Sequence, residues 1–154
     1  MSAETATTSA GRQPPKLANK IMKFLLRTPL HGVMSRHIML ITFRGRKSGK
    51  EFTTPIGYER LGNTVRAFTD HSWWKNFTSQ PEVTLTIQGR RYPGTAEAVH
   101  DDKETIAKEL QAYIQHSPMA ARAFSVEVDA SGKAVPASAR QAAERLTLVR
   151  VHLK

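Results

Sequence analysis

The stretch RGRKSGKEFTTP, which begins at residue 44, contains four Lys or Arg residues and two glycines. The glycines, Gly45 and Gly49, bracket Arg46, Lys47 and Ser48. Glycine permits positive φ and a close approach of backbone amides to a ligand. Arg and Lys neutralise and hydrogen-bond phosphate oxygens. The stretch is therefore either a solvated hairpin tip or a loop that binds an anionic group.

The spacing excludes the phosphate loop of nucleoside triphosphatases. The segment from Gly45 to Gly49 is one residue too short for the G-x-x-x-x-G-K motif, and Glu51 follows Lys50 where that motif has Ser or Thr. The stretch also lies between two predicted strands, whereas that motif joins a strand to a helix.

Other side chains show little sign of catalysis by the protein alone. The chain has no Cys, and its acidic residues are scattered, several of them near predicted helix starts where capping explains them. The six histidines lack a ligand spacing such as H-x-x-x-H, so no metal site is expected. His71 is the histidine of most interest, because it lies beside a predicted short helix.

The chain has 154 residues and a formal net charge of +10. This length suits one domain, and the charge favours an anionic partner: nucleic acid, an acidic membrane surface or an anionic small molecule. The basic residues are spread over several predicted elements, and the aromatic residues do not interleave with them as in a stacking platform. We therefore expect a small-molecule ligand and no nucleic acid.

The composition predicts a cytoplasmic protein. Cys is absent, the first residues are polar, and no stretch approaches the roughly 20 apolar residues that cross a bilayer. We expect a disordered tail over residues 1–13 and a single domain over residues 14–154. Apolar residues at helical spacing predict an amphipathic helix over residues 16–27, which either packs on the domain or makes peripheral contact with an anionic membrane.

Strands are predicted through the middle of the chain and at its end. They cover residues 37–43, 51–60, 63–69, 82–88, 90–99 and 146–153. Short turns join the first three strands, which predicts an antiparallel meander with a hairpin turn at Gly62. Val83, Leu85 and Ile87 alternate with polar residues, which predicts a further hairpin that turns at Gly89.

Helices are predicted around the strands. They are a short helix that Ser72 caps and that ends before Pro81, a longer one with Asp101 and Asp102 in its first turn, and short pieces over residues 120–124 and 137–145. Because the last strand must return to the sheet, the elements predict an α+β domain with a barrel-like, mainly antiparallel sheet.

Two longer segments, GRKSGKEFTTPIGY and WWKNFTSQPEVTLTIQGRRYPGTAEAV, resemble the deazaflavin (coenzyme F420)-dependent nitroreductase family. Its members share a G-R-[KR]-[ST]-G turn, a T/N-P step, a Trp-x-x-Asn helix and an N-P-x-V strand, and the resemblance runs from about Leu40 to Val99. It implies a split β-barrel of the flavin-reductase, FMN-binding type with peripheral helices, coenzyme F420 as cofactor and a homodimer. The implied reaction is hydride transfer from the reduced deazaflavin to a planar electron-poor acceptor, a quinone or a nitroaromatic.

The same resemblance implies ten cofactor-binding residues. The basic turn would hold phosphate and carboxylates, the strand after it would line the deazaflavin ring, the end of the third strand would face the ring from the other side, and the Trp-x-x-Asn helix would reach the cofactor. In that order the residues are Arg46, Lys47 and Ser48; Thr53, Thr54 and Pro55; Phe68 and Thr69; Trp73 and Asn76.

Tyr113 has two interpretations. It lies on the late helix that covers the cleft in related proteins, where its hydroxyl would donate a hydrogen bond to a nitro or quinone oxygen. The apolar periodicity of the helix already explains Tyr113 as a core residue.

The chain departs from the family pattern at two places. Residues 69–72 form a shorter loop than in many members, and Phe52 stands where a basic residue is common. The departures remove amide contacts and a positive charge. FMN is therefore the alternative cofactor, and the alternative functions are an FMN-dependent reductase and a non-catalytic module that binds a flavin, a deazaflavin or a haem-like anion.

Overall fold

The computed structural model describes residues 36–154. The predicted tail over residues 1–13 and the predicted amphipathic helix over residues 16–27 lie outside this range. Within the range, no helix is both long enough and apolar enough to span a membrane.

A seven-stranded antiparallel sheet forms the centre of the described chain. The strands are β1 (Ile38–Arg44), β2 (Glu51–Gly57), β3 (Glu59–Leu61), β4 (Thr64–Thr69), β5 (Glu82–Ile87), β6 (Arg90–Val99) and β7 (Thr147–Leu153). Their order is β2-β1-β5-β6-β7-β4-β3, and every pair is antiparallel. Because β2 and β4 approach each other although they are not neighbours in this order, the sheet curls into an open barrel. The predicted α+β class with a split barrel is confirmed.

The predicted meander of three successive strands is wrong. Residues 51–60 form two strands, since Tyr58 belongs to neither strand and its N–H donates to the carbonyl of His37 (3.1 Å), just before the start of β1. β2 pairs with β1, whereas β3 pairs with β4 at the opposite edge of the sheet. Since β4 then pairs with β7, the chain crosses from one edge of the sheet to the other at a single residue.

The two predicted hairpin turns are confirmed. Gly62 joins β3 to β4 with φ of +64°, and Gly89 joins β5 to β6 with φ of +83°. Both values lie in the left-handed region, where a side chain is strained, so glycine is the suitable residue at both turns.

A 3-10 helix and three α-helices complete the described chain. The 3-10 helix is Ser72–Phe77, and the α-helices are α1 (Lys103–His116), α2 (Pro118–Ala123) and α3 (Pro136–Ala143). The prediction that Ser72 caps the short helix is wrong, because His71 occupies the N-cap position without a side-chain hydrogen bond. Asp102 caps α1, and the hydrogen bonds that its carboxylate accepts from Thr105 lower the pKa of Asp102.

The sheet separates two apolar cores. The inner core fills the barrel with side chains such as Met39, Ile41 and Leu85, and the outer core lies between the sheet and α1 to α3 around Leu110 and Ile114. β4 contributes to both cores, because its successive side chains point to opposite faces. The open side of the barrel is left for a site.

Candidate functional site

A cleft of about 1060 Å³ opens where the turn between β1 and β2, the 3-10 helix and the end of α2 meet. Its lining includes that turn, β2, the end of β4, and residues 123–124 and 145–146. All ten residues that the sequence predicts to bind the cofactor line this cleft. Tyr113 does not line it.

Hydrogen bonds close the basic turn on itself. The N–H of Gly45 donates to the carbonyl of Lys50 and the N–H of Gly49 to that of Gly45, both at 2.8 Å. Gly49 has φ of +70°, and a Cβ on Gly45 would lie 2.8 Å from the ring of Phe52. Gly49 therefore allows the backbone to turn, and Gly45 allows it to pack on an aromatic ring.

The ring of Phe52 packs against the basic turn at Gly45. Its ring stacks on Phe43 with centroids 5.5 Å apart, and both rings line the cleft. Phe52 thus places an apolar ring against Gly45.

Asn76 ties the basic turn to the 3-10 helix. Its Oδ1 accepts a hydrogen bond from the backbone N–H of Arg46 and its Nδ2 donates to the carbonyl of Trp73, both at 2.8 Å. The family resemblance implies that this side chain reaches the cofactor, whereas in the structure both ends of its amide bond to the protein. Asn76 therefore positions the turn on which Arg46 and Lys47 stand.

Replacing Asn76 by Ala should lower the affinity for coenzyme F420 about tenfold. The variant loses two hydrogen bonds, and the loss of the one to the backbone N–H of Arg46, about 1.4 kcal/mol at the upper end of the usual range, corresponds to this factor. Titration calorimetry measures the change. Thr78→Ala, an exposed position after the same helix and outside the cleft, is the control, and unchanged affinity in the Asn76 variant would show that this tie does not hold the turn.

The two adjacent tryptophans point in different directions. Trp73 lines the cleft and stacks on Phe43 at 5.7 Å, whereas Trp74 stacks on His100 at 4.3 Å and is not part of the lining. Of the two tryptophans, only Trp73 therefore faces the cleft.

β2 offers backbone groups to the cleft. It is the edge strand of the sheet with β1 as its one neighbour, so groups on its other side are not used in the sheet. Thr53, Thr54 and Pro55 are half-buried there, and the hydroxyl of Thr53 is hydrogen-bonded to that of Thr42 at 2.9 Å. The arrangement suits amide contacts to a planar ring.

Phe68 and Tyr113 are both buried side chains. Phe68 is 3% exposed and stacks on Tyr113, which is 6% exposed, with ring centroids 5.5 Å apart. Burial, reinforced by the negative charge of Glu59, raises the pKa of Tyr113 to about 12, so its hydroxyl is protonated at neutral pH. Of the two interpretations of Tyr113, the structure favours the core residue.

Sequence reasoning missed several residues of the cleft. Asp70, Lys75, Phe124 and Arg145 line it together with His71, which the sequence analysis had marked. Arg145 has a weak sequence signal, a basic residue just before the last strand, but only the fold brings it to the cleft. No cluster of three or more His, Asp or Glu residues that could hold a metal ion occurs in the described range.

A family model described as F420H(2)-dependent quinone reductase matches residues 27–131. Among curated proteins, no relative matches at a significant level.

Three solved structures have a similar fold. An F420-H2 dependent reductase has 17% identity, covers 76% of this chain and 95% of its own, and gives a TM-score of 0.50. A protein described as a domain-swapped dimer has 17% identity, with coverages of 89% and 98% and a TM-score of 0.52. A pyridoxamine 5′-phosphate oxidase-related, FMN-binding protein from Nostoc punctiforme has 14% identity, with coverages of 87% and 78% and a TM-score of 0.53.

Proposed function

Because the chain belongs to the F420H(2)-dependent quinone reductase family, we propose that its cleft binds reduced coenzyme F420 and that hydride passes from it to a planar, electron-poor acceptor. The family is F420H2-dependent, which implies coenzyme F420 as the cofactor. The finer proposal names the acceptor as a quinone or a nitroaromatic. The observation that supports binding of coenzyme F420 is that all ten residues predicted to bind the cofactor line one cleft.

The residues of the cleft fit an anionic, planar cofactor. Arg46 and Lys47 are exposed on the basic turn, and neither side chain is held in an ion pair within residues 36–154. Their charges are therefore available to the phosphate and carboxylates of the cofactor tail. The stacked rings of Phe43, Phe52 and Trp73 form an apolar surface for the ring system.

The proposed reaction needs positioning more than side-chain chemistry. Reduced coenzyme F420 supplies a hydride and a proton, which together convert a quinone to its hydroquinone. The basic turn would hold the tail of the cofactor, and the edge of β2 would hold its deazaflavin ring. The stacked rings of Phe43, Phe52 and Trp73 would exclude water from the reacting faces of the cofactor and the acceptor. In this scheme Thr53 orients the ring through its backbone N–H, and Thr54 and Pro55 line the cleft beside it.

Titration of the purified protein with coenzyme F420, with FMN as competitor, tests the cofactor. We expect saturable F420 binding that FMN does not displace. Anaerobic oxidation of the reduced cofactor by menadione and by a nitroaromatic then tests the reaction. A folded protein that does not bind F420, or that binds it and reduces no member of an acceptor panel, would contradict the proposal.

The short loop over residues 69–72 favours a second candidate, a flavin-binding module or FMN-dependent reductase on the same barrel. The loop offers few amides, and one of them, the N–H of His71, is bonded to the hydroxyl of Thr69 at 3.0 Å. Binding of FMN alone in the titration would favour the FMN-dependent reductase. Tight binding of either ligand without acceptor reduction would favour the module.

We also propose that the chain forms a homodimer. The similar structure described as a domain-swapped dimer supports this assembly on the same fold. Sedimentation equilibrium of the full chain would measure its mass, and a monomer at micromolar concentration would contradict the proposal.

A further inference from the structure

Arg145 brings a positive charge to the cleft from outside the basic turn. It lies between α3 and β7, and its side chain is exposed and lines the cleft. Its Nη2 donates a hydrogen bond to the carbonyl of Phe124 at 2.5 Å, just after the end of α2. One hydrogen bond thus anchors the guanidinium and leaves its other N–H groups directed elsewhere.

The strand pairing places Arg145 near the end of β4, on elements other than those that carry the basic turn. Arg145 stands two residues before Thr147, which pairs with Thr69 at the end of β4. The basic turn joins β1 to β2, and Asn76 ties it to the 3-10 helix. With the cofactor tail on the basic turn and its ring between β2 and the end of β4, Phe124 and Arg145 beyond the ring are left to a second molecule.

The surroundings of Arg145 suit a flat apolar molecule that carries a negative charge. The half-buried ring of Phe124 meets Phe68 edge-on at 5.9 Å, and Leu146 completes the apolar surface. Asp70 is the one acidic residue in the lining, and its carboxylate lies 3.5 Å from His71. Lys75 also lines the cleft, so basic residues outnumber acidic ones there even without the basic turn.

We propose that Arg145 and Phe124 form the acceptor subsite and that it prefers planar quinones with an anionic substituent to neutral quinones of the same ring. The inference rests on the proposed function and adds the substrate class. Phe124 packs on the ring of the acceptor, and the guanidinium of Arg145 pairs with its carboxylate or sulfonate. Arg145 is a specificity-determining residue in this scheme.

Two acceptors and two variants test the subsite. Naphthoquinone sulfonate and menadione share a ring system and differ in charge. Arg145→Gln removes the charge but keeps a donor for the carbonyl of Phe124, and Arg140→Gln removes an exposed charge of α3 outside the cleft. The full chain is loaded with cofactor, and the KM of each acceptor is measured. The Kd of naphthoquinone sulfonate is measured by calorimetry with oxidised cofactor bound.

We expect Arg145→Gln to raise the KM and the Kd of naphthoquinone sulfonate about tenfold, as for one charge-assisted hydrogen bond. The KM of menadione should change less than about twofold, Arg140→Gln should change neither, and Arg145→Lys should retain part of the preference. Equal effects on both acceptors would overturn the proposal. A parallel rise in the Kd of coenzyme F420 would assign Arg145 to the cofactor and would also overturn it.

The binding measurement separates this inference from the proposed function. If the wild-type protein binds naphthoquinone sulfonate through Arg145 but reduces neither acceptor, the reductase assignment fails and the subsite stands. If it reduces menadione and Arg145→Gln leaves both acceptors unchanged, the reductase assignment stands and the subsite fails.

Discussion

Replacing Arg46 and Lys47 together by Ala should weaken binding of coenzyme F420 by about 3 kcal/mol, a factor of about 10². Each residue would contribute one charge-assisted hydrogen bond, and the lower end of the usual range of about 1.5 to 3 kcal/mol applies because both side chains are exposed. The fold should be unaffected, since the hydrogen bonds that close the turn come from Gly45, Gly49 and Arg44. Calorimetric titration and a thermal melt of the same samples measure both quantities.

Arg90 and Arg91 provide a matched control. They begin β6, are exposed and do not line the cleft, so replacing both by Ala changes the net charge by the same amount at a distance from the site. Their replacement should alter F420 affinity by less than about twofold. If both double variants lose the same affinity, the effect comes from net charge, and the basic turn is a solvated hairpin tip.

Arg66→Met should lower the free energy of unfolding by about 3–5 kcal/mol, the range for removing one partner of a buried ion pair. Arg66 is 5% exposed on β4, and its guanidinium bonds to Glu59 and to Glu109 of α1, the latter at 2.7 Å. Without it, the carboxylate of Glu59, which is 14% exposed, keeps only its contact with His116 (2.7 Å), and that of Glu109 keeps a 3.6 Å contact with Arg150 among residues 36–154. Urea denaturation followed by circular dichroism measures the change.

The double variant Arg66→Met with Glu59→Gln separates the lost pairing from the lost packing. Because it removes both charges, it should be more stable than Arg66→Met alone. Arg91→Met, at an exposed site of the same sheet, should cost less than about 0.5 kcal/mol. A loss below about 1 kcal/mol in Arg66→Met would show that water compensates the carboxylates.

The strands could be predicted where one face of the sheet dominates the pattern. β5 alternates Val83, Leu85 and Ile87 with polar residues because one of its faces lies on the inner core. The break at Tyr58 could not be predicted, because Tyr58 is itself a residue typical of strands. β2 and β3 join opposite edges of the sheet because of the strands they pair with, and no local sequence pattern indicates those partners.

The residues of the site also divide into those that a local pattern predicts and those that only the tertiary structure brings into place. The basic turn could be predicted because its chemistry is local: glycines and cations within seven residues, Arg44 to Lys50. Arg66 could not be assigned, since a lone Arg in a strand usually marks a solvent face, and only α1 packed over β4 makes that face buried. Arg145 likewise reaches the cleft through tertiary packing, and its neighbour Phe124 is 21 positions away along the chain.

The two tryptophans of the chain are adjacent in the 3-10 helix, one inside the cleft on Phe43 and the other outside it on His100. The intrinsic fluorescence of this protein is therefore a local signal. Its emission reports the environment of the cleft wall, and Trp73 lies close enough to a bound chromophore for energy transfer to it. Because Asn76 links the same helix to the basic turn, a displacement of the turn should change the tryptophan emission. The intrinsic fluorescence therefore reports whether the cleft is occupied by a ligand.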